Sequence, residues 1–282
     1  MNHTKLRPKV GLALGGGAGL GWAHIGAIRV LQENNIPIDM VTGCSIGAIV
    51  GACVAADKLD HLEEVARNIT LKDMLLWADP SFKKGSVLGA RRVRAILKDN
   101  LGDLMIEDLP TPFACVASDL HTGAPVILNA GSLIDAVMAS ASVPGLFPPV
   151  EHNATRLVDG GMSEPVPVRT LRTLNPDVVI AVDLMGHYQG RSEKIGLNIA
   201  EKFSYGATLT IARASVLMIL SNLSLENLKN NPCDVLIRPD TSGFEVSDFR
   251  KATTLIKRGR NAAEAALPSI FKALNEERVR DS

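Results

Sequence analysis

The chain has 282 residues, 46% of them hydrophobic, with 30 Lys and Arg against 30 Asp and Glu. That is a globular composition of one or two domains' length, and it excludes a disordered chain. The zero formal net charge also argues against a general nucleic-acid binder, which needs a basic face to neutralise phosphates. Only 4% of residues are aromatic while glycine numbers 24, so the apolar content is aliphatic and small, which suits close packing of helices on strands. Cysteines at positions 44, 53, 115 and 233 make no CxxC pair and no metal-ligand spacing, and predict small buried thiols in a reduced, intracellular chain.

The first apolar stretch is broken by glycines at 11, 15, 16, 17, 19 and 21. Neither a signal-peptide core nor a spanning helix is expected there, and the expected location is cytoplasmic. The Asn-x-Ser/Thr matches at Asn2, Asn68, Asn153 and Asn222 matter only in a secreted protein and are read as chance. Val10 to Leu14 is a short apolar run ending in glycines, followed by Trp22, Ile25, Ile28, Val30 and Leu31 near helical spacing: strand, tight loop, helix. The same grammar repeats with a strand over Ile38 to Thr42, a turn over Gly43 to Gly47 and a small-residue helix over Ala48 to Ala56. Later aliphatic runs, Phe113 to Ala117, Val126 to Leu128, Arg156 to Val158, Val178 to Val182 and Val235 to Ile237, read as strands buried on both faces. Helical patterns lie between several of them, which predicts an α/β fold around a central, largely parallel sheet. No linker or repeat divides the chain, so residues 1–282 read as one domain whose C-terminal part, 195–282, is more helical.

Three motifs carry chemistry. In Gly43-Cys44-Ser45-Ile46-Gly47, a G-x-S-x-G elbow puts the serine on a strained turn between strand and helix. The helix N-terminus there favours developing negative charge. In the loop Gly15 to Gly21, consecutive glycines free backbone N–H groups to turn toward a phosphate or an oxyanion. The dinucleotide register fails from Gly15, where the last position is Leu20, and from Gly17, where it is Trp22; the P-loop register fails because Trp22 and Ala23 follow Gly21. An oxyanion loop is the better use, beside the simpler one of a tight turn between strand and helix. Asp159-Gly160-Gly161 ends a predicted strand, where a carboxylate can accept a serine proton, although alone it reads as a turn. A serine triad would also need a histidine. His187 alone follows Asp159, but it lies in a polar stretch with no accompanying motif, and His24 reads as a structural hydrogen bonder on the first helix.

Taken together, these residues resemble the patatin-like phospholipase family, particularly its short bacterial members. The resemblance runs from about Lys9 to Asp183. It includes Ala23-His24-Ile25-Gly26, the Ser45 elbow, Ser140 to Pro149, Val158 to Gly161 and Pro165 to Val168. It implies a three-layer α/β/α fold and a serine acyl hydrolase cleaving lipid acyl esters through a Ser–Asp dyad, with no histidine, metal or cofactor. Ser45 would be the nucleophile and Asp159 the base. The amides of Gly15, Gly16 and Gly17 would form the oxyanion hole, with Gly43, Gly47, Gly160 and Gly161 as motif glycines. The loop departs from the family pattern Gly-Gly-Gly-Ala-Arg/Lys-Gly, with Ala18 at a glycine position and Leu20 at the basic one. That departure motivates the alternative of a weakly active or inactive lipid-binding regulator on the same fold; Arg91 or Arg92 could supply the missing charge.

Outside the motifs, Ser140 to Val150 reads as a rigid loop that walls the acyl site or simply packs. The charge-poor stretch from Leu197 to Leu228 is interrupted by Arg213, and reads as buried or dimer-facing helices, with a cap or a membrane-surface helix as the other option. Lys83, Lys84, Arg91, Arg92 and Arg94 form a basic cluster that is either a solvated face or a contact for anionic lipid heads. The expected partners are a lipid or acyl-ester substrate, with peripheral contact at the inner membrane surface and homo-oligomerisation as options, and no nucleic acid.

Overall fold

The computed structural model describes residues 7–70, 72–73, 90–186 and 205–280. Eight strands form one mixed sheet: β1 (Val10–Leu14), β2 (Met40–Cys44), β3 (Phe113–Asp119), β4 (Pro125–Leu128), β5 (Val150–His152), β6 (Thr155–Asp159), β7 (Val178–Val182) and β8 (Val235–Ile237). Every residue of β1, β2 and β7 is buried, the expectation for parallel strands covered on both faces. The helices are α1 (Trp22–Glu33), α2 (Ile46–Ala55), α3 (Leu59–Asn68), α4 (Ala90–Leu101), α5 (Leu133–Ser140), α6 (Val168–Arg172), α7 (Tyr205–Asn230) and α8 (Ala252–Arg280).

Alternate residues of a strand face opposite ways, and they sort the core into two halves. Val10, Leu12 and Leu14 join Val178, Ile180 and Val182 in the larger half, against α1, α2, α5 and α8. Ala13, Val179 and Ala181 face the smaller half, against Val168 and Leu171 of α6 and Leu228 of α7. The result is the three-layer α/β/α sandwich that the family resemblance implies.

The strand order is β5-β6-β3-β2-β1-β7-β8, with β4 beside β3. β1 pairs in parallel with β2 and β7, β2 with β3, and β7 with β8. The carboxyl ends of these strands therefore lie along one edge, where open α/β sheets hold their sites. β3 runs on past β2. Its far side is taken by β4 across Cys115 to Ser118, so the antiparallel β6 continues along the edge that β2 leaves. Cys44 of β2 pairs with Val116 and Asp159 of β6 pairs with Ala117, consecutive residues of one strand. No helix among the described residues is long and apolar enough to cross a membrane.

Candidate active site

The Ser45 elbow is tighter than the sequence reading made it. Gly43 and Cys44 stay in β2, α2 opens at Ile46, and Ser45 alone turns the chain. Its backbone sits at φ 56° and ψ −122°, a region that a side-chain-bearing residue occupies at a cost of about 1–3 kcal/mol. The surroundings hold it there. A Cβ on Gly47 would strike the Leu14 carbonyl and approach the Gly15 carbonyl to 2.7 Å, so only glycine lets α2 start against the end of β1. The Ser45 N–H donates to Ser140 Oγ (3.0 Å), and the Ser140 hydroxyl donates to the Val116 carbonyl (2.7 Å). One buried hydroxyl from α5 thus ties the elbow to β3.

Asp159 arrives beside this elbow because Val116 and Ala117 hold the two strand ends in sequence. Its N–H donates to the Ser142 carbonyl (2.9 Å), its carbonyl accepts from the Ser118 hydroxyl (2.9 Å) and its Oδ1 accepts from the Gly161 N–H (2.7 Å). A Cβ on Gly160 would strike the Val116 carbonyl, so that glycine is what lets the turn fold under the carboxylate. Oδ2 is buried with no hydrogen-bond partner. Burial pushes the Asp159 carboxyl up from 3.8 to about 6, opposed by the Ser45 hydroxyl and the Gly161 N–H. Cys44, immediately before Ser45 in the chain, does not compete as a nucleophile: burial, and then the charge of Asp159, push its thiol well above its ordinary range.

The glycine loop lies along the same site. A methyl on Gly16 would stand 3.5 Å from Ser45 Cβ. The loop amides divide sharply: the Gly15 N–H donates to the Val182 carbonyl (3.0 Å) and the Gly16 N–H to the Pro165 carbonyl (2.9 Å). Two of the three expected oxyanion donors are thereby committed. Among the described residues, the N–H groups of Gly17 and Ala18 carry no hydrogen-bond partner. Ala18 itself holds a positive φ of 49°, the conformation that glycine would take more cheaply. Leu20, in the family's basic position, is completely buried, so apolar packing has replaced a charge there.

His24 is the structural hydrogen bonder the sequence suggests. Its Nε2 lies 2.7 Å from the Gly15 carbonyl, and burial lowers its pKa to about 4, so the ring is neutral and donates through Nε2–H. Among the described residues no histidine hydrogen-bonds Ser45 or Asp159; His187, Lys83 and Lys84 lie outside those residues. Arg91 and Arg92 are exposed on α4, and Arg94 pairs with Asp135.

Two residues of this site were not assigned from sequence. Ser140 was read only as part of a loop, although its place in the Ser140 to Pro149 motif marked it. The other is Glu164, buried, whose carboxylate accepts the Thr170 N–H (3.0 Å) and hydroxyl (2.7 Å) while its own N–H donates to the Gly160 carbonyl (2.8 Å). It braces the turn after Asp159 against α6, and burial raises its pKa.

A mixed three-layer α/β sandwich thus brings a strained serine and a buried carboxylate together at the ends of two strands. Residues 12–172 match the description "Patatin-like phospholipase", and the chain belongs to that family. It is similar to an uncharacterized NTE family protein of Mycobacterium bovis, 36% identical over 196 residues, which cover 70% of this chain and 54% of that protein. It is also similar to the lysophospholipase NTE1 of Candida glabrata, 29% identical over 283 residues, covering 93% of this chain and 16% of that protein. The chain thus spans about half the length of the mycobacterial relative and a smaller part of the fungal one. The crystal structure of VipD from Legionella pneumophila shares the fold, with a TM-score of 0.50 and 13% identity over 96% of this chain and 67% of that one.

Proposed function

We propose that this chain is a serine hydrolase of lipid acyl esters, with Ser45 as nucleophile and Asp159 as general base. The observation that carries the reading is Asp159 Oδ2, a buried carboxylate oxygen with no hydrogen-bond partner, next to a serine held in a strained elbow. With its pKa near 6, Asp159 is ionised at neutral pH yet basic enough to take the Ser45 proton as the oxygen attacks the ester carbonyl. The N–H groups of Gly17 and Ala18 are the donors for the resulting oxyanion, each worth roughly 10²–10³ in rate in comparable sites. Collapse expels the alcohol, protonated by the acid form of Asp159. A water, deprotonated by the same carboxylate, then releases the fatty acid and regenerates Ser45.

A lysophospholipid or phospholipid is the proposed substrate, which the name of the Candida glabrata relative supports. The burial of Leu20 favours one competing reading, a lipid-binding regulator that scarcely turns over. Fluorophosphonate labelling separates the two, since an active elbow labels at Ser45 and a binding module does not. We expect Ser45→Ala to abolish both labelling and hydrolysis of a short p-nitrophenyl ester. Retained hydrolysis in the purified variant would overturn the assignment.

A further inference from the structure

We infer that the apolar surface of α7 between Ile211 and Leu225 docks this chain on a lipid bilayer beside the turn that follows Asp159. The sequence left this stretch between buried, dimer-facing and membrane-surface roles, and its two sides now differ. Ala214, Leu217, Ser221 and Ser224 are buried, a spacing that marks one side of a helix. The Ser221 hydroxyl donates to the Met185 carbonyl (2.8 Å), the Ser224 hydroxyl to Asp183 Oδ1 (3.2 Å) and Asn227 Nδ2 to the Ser163 carbonyl (3.3 Å). These anchors fix α7 on the turns that follow β7 and β6, the second of which carries Asp159.

Much of the helix outside that buried side is exposed and apolar. Ile211, Val216, Met218, Ile219 and Leu225 are 46%, 52%, 41%, 59% and 45% exposed. Met162, 39% exposed and one residue before Ser163, brings apolar surface back to the Asp159 turn. The α7 side chains together leave on the order of 400 Å² in water, the size of patch that is functional on many monomers. A stable contact with a second copy buries about 800 Å² per partner, twice what this face offers. A bilayer has no such threshold.

Charge points the same way. From Tyr205 to Leu225 the sequence holds one charged residue, Arg213, and no acid, so nothing in that stretch repels an anionic leaflet. Exposed polar residues return at Glu226, Lys229 and Asn230, toward the C-terminal end of the helix. The helix lies on the membrane rather than across it. The choice of a bilayer as partner rests on the lipid-ester reading, because the substrate of such an enzyme is held in one.

The experiment is flotation of the full chain with phosphatidylcholine vesicles, with and without phosphatidylglycerol. Wild type and Ser45→Ala should float equally, since docking does not use the nucleophile. The Val216→Ser/Ile219→Ser variant should lose at least tenfold in vesicle partitioning, while its rate on a soluble short ester stays within twofold of wild type. A Met218→Trp reporter should shift its emission to the blue on vesicles. Equal flotation of the double variant, or an unshifted reporter, overturns the proposal. So does a wild type that sediments as a dimer when the double variant sediments as a monomer, for a second copy then covers the face. Flotation without hydrolysis of the soluble ester upholds docking and refutes the catalytic assignment.

Discussion

Replacing Asp159 by asparagine should make the protein more stable and nearly inactive, because the buried charge assigned to catalysis under the proposed function also opposes folding. The carboxyl titrates at 3.8 in the ordinary case and at about 6 in the folded chain. At about 1.4 kcal/mol per tenfold change, holding it ionised at neutral pH costs about 3 kcal/mol. The sign follows from proton binding. The native carboxyl holds its proton more tightly than the unfolded one, so wild-type stability falls as pH rises from about 4 to about 6, and above that the whole penalty stands. Asparagine keeps an oxygen for the Gly161 N–H and carries no charge to desolvate. Thermal unfolding at pH 8 should therefore show a Tm gain of about 6 °C, taking about 2 °C per kcal/mol for a chain of this size. At pH 4 most of the gain should vanish. Ester hydrolysis should fall by about 10²–10⁴ in the variant, and wild-type activity should rise with pH around a midpoint near 6. A variant less stable than wild type at pH 8, or a gain that does not shrink toward pH 4, would refute the account of Asp159 as a desolvated carboxylate.

Ser140→Ala leaves the buried Ser45 N–H and Val116 carbonyl without their shared partner, and should cost about 1–3 kcal/mol in urea unfolding. Because it loosens the elbow and not the lipid contact, kcat should fall with KM nearly unchanged; a KM effect alone would argue against a positioning role. Leu20→Arg, which restores the family's basic residue, places a charge in a fully buried position. It should destabilise the chain by several kcal/mol, and a variant as stable as wild type would show that the loop rearranges to expose it.

How far the sequence could be read depended on what kind of signal each feature leaves. β1, β7 and β8 coincide with their apolar runs because a doubly covered strand is written as consecutive aliphatics. β2 was placed two residues early, since Gly43 reads as turn punctuation and is here a strand residue that lets α2 pack close. β5 is only three residues long, and it went unread for that reason. The antiparallel run of β6 against the end of β3 has no local signature at all, because it is decided by which edge of β3 β4 leaves free. At the site, Ser45 and Asp159 were legible from glycines that flank them. The commitment of the Gly15 and Gly16 amides was not, as it depends on carbonyls of Val182 and Pro165 far along the chain. The exposure of α7 was equally hidden: its composition resembles a core helix, and only the packing shows one side left bare.

The end-to-end seating of β2 and β6 on β3 has a consequence for how the chain comes into being. A polypeptide synthesised as far as the elbow already contains Ser45, yet the base proposed for it is missing until Thr155 to Asp159 has been made and has paired beside Ala117. The proposed hydrolysis thus requires the assembled sheet, and no fragment of it suffices. During refolding, the return of ester hydrolysis should lag behind the return of secondary structure, because the proposed pair is complete only once β6 has paired with β3.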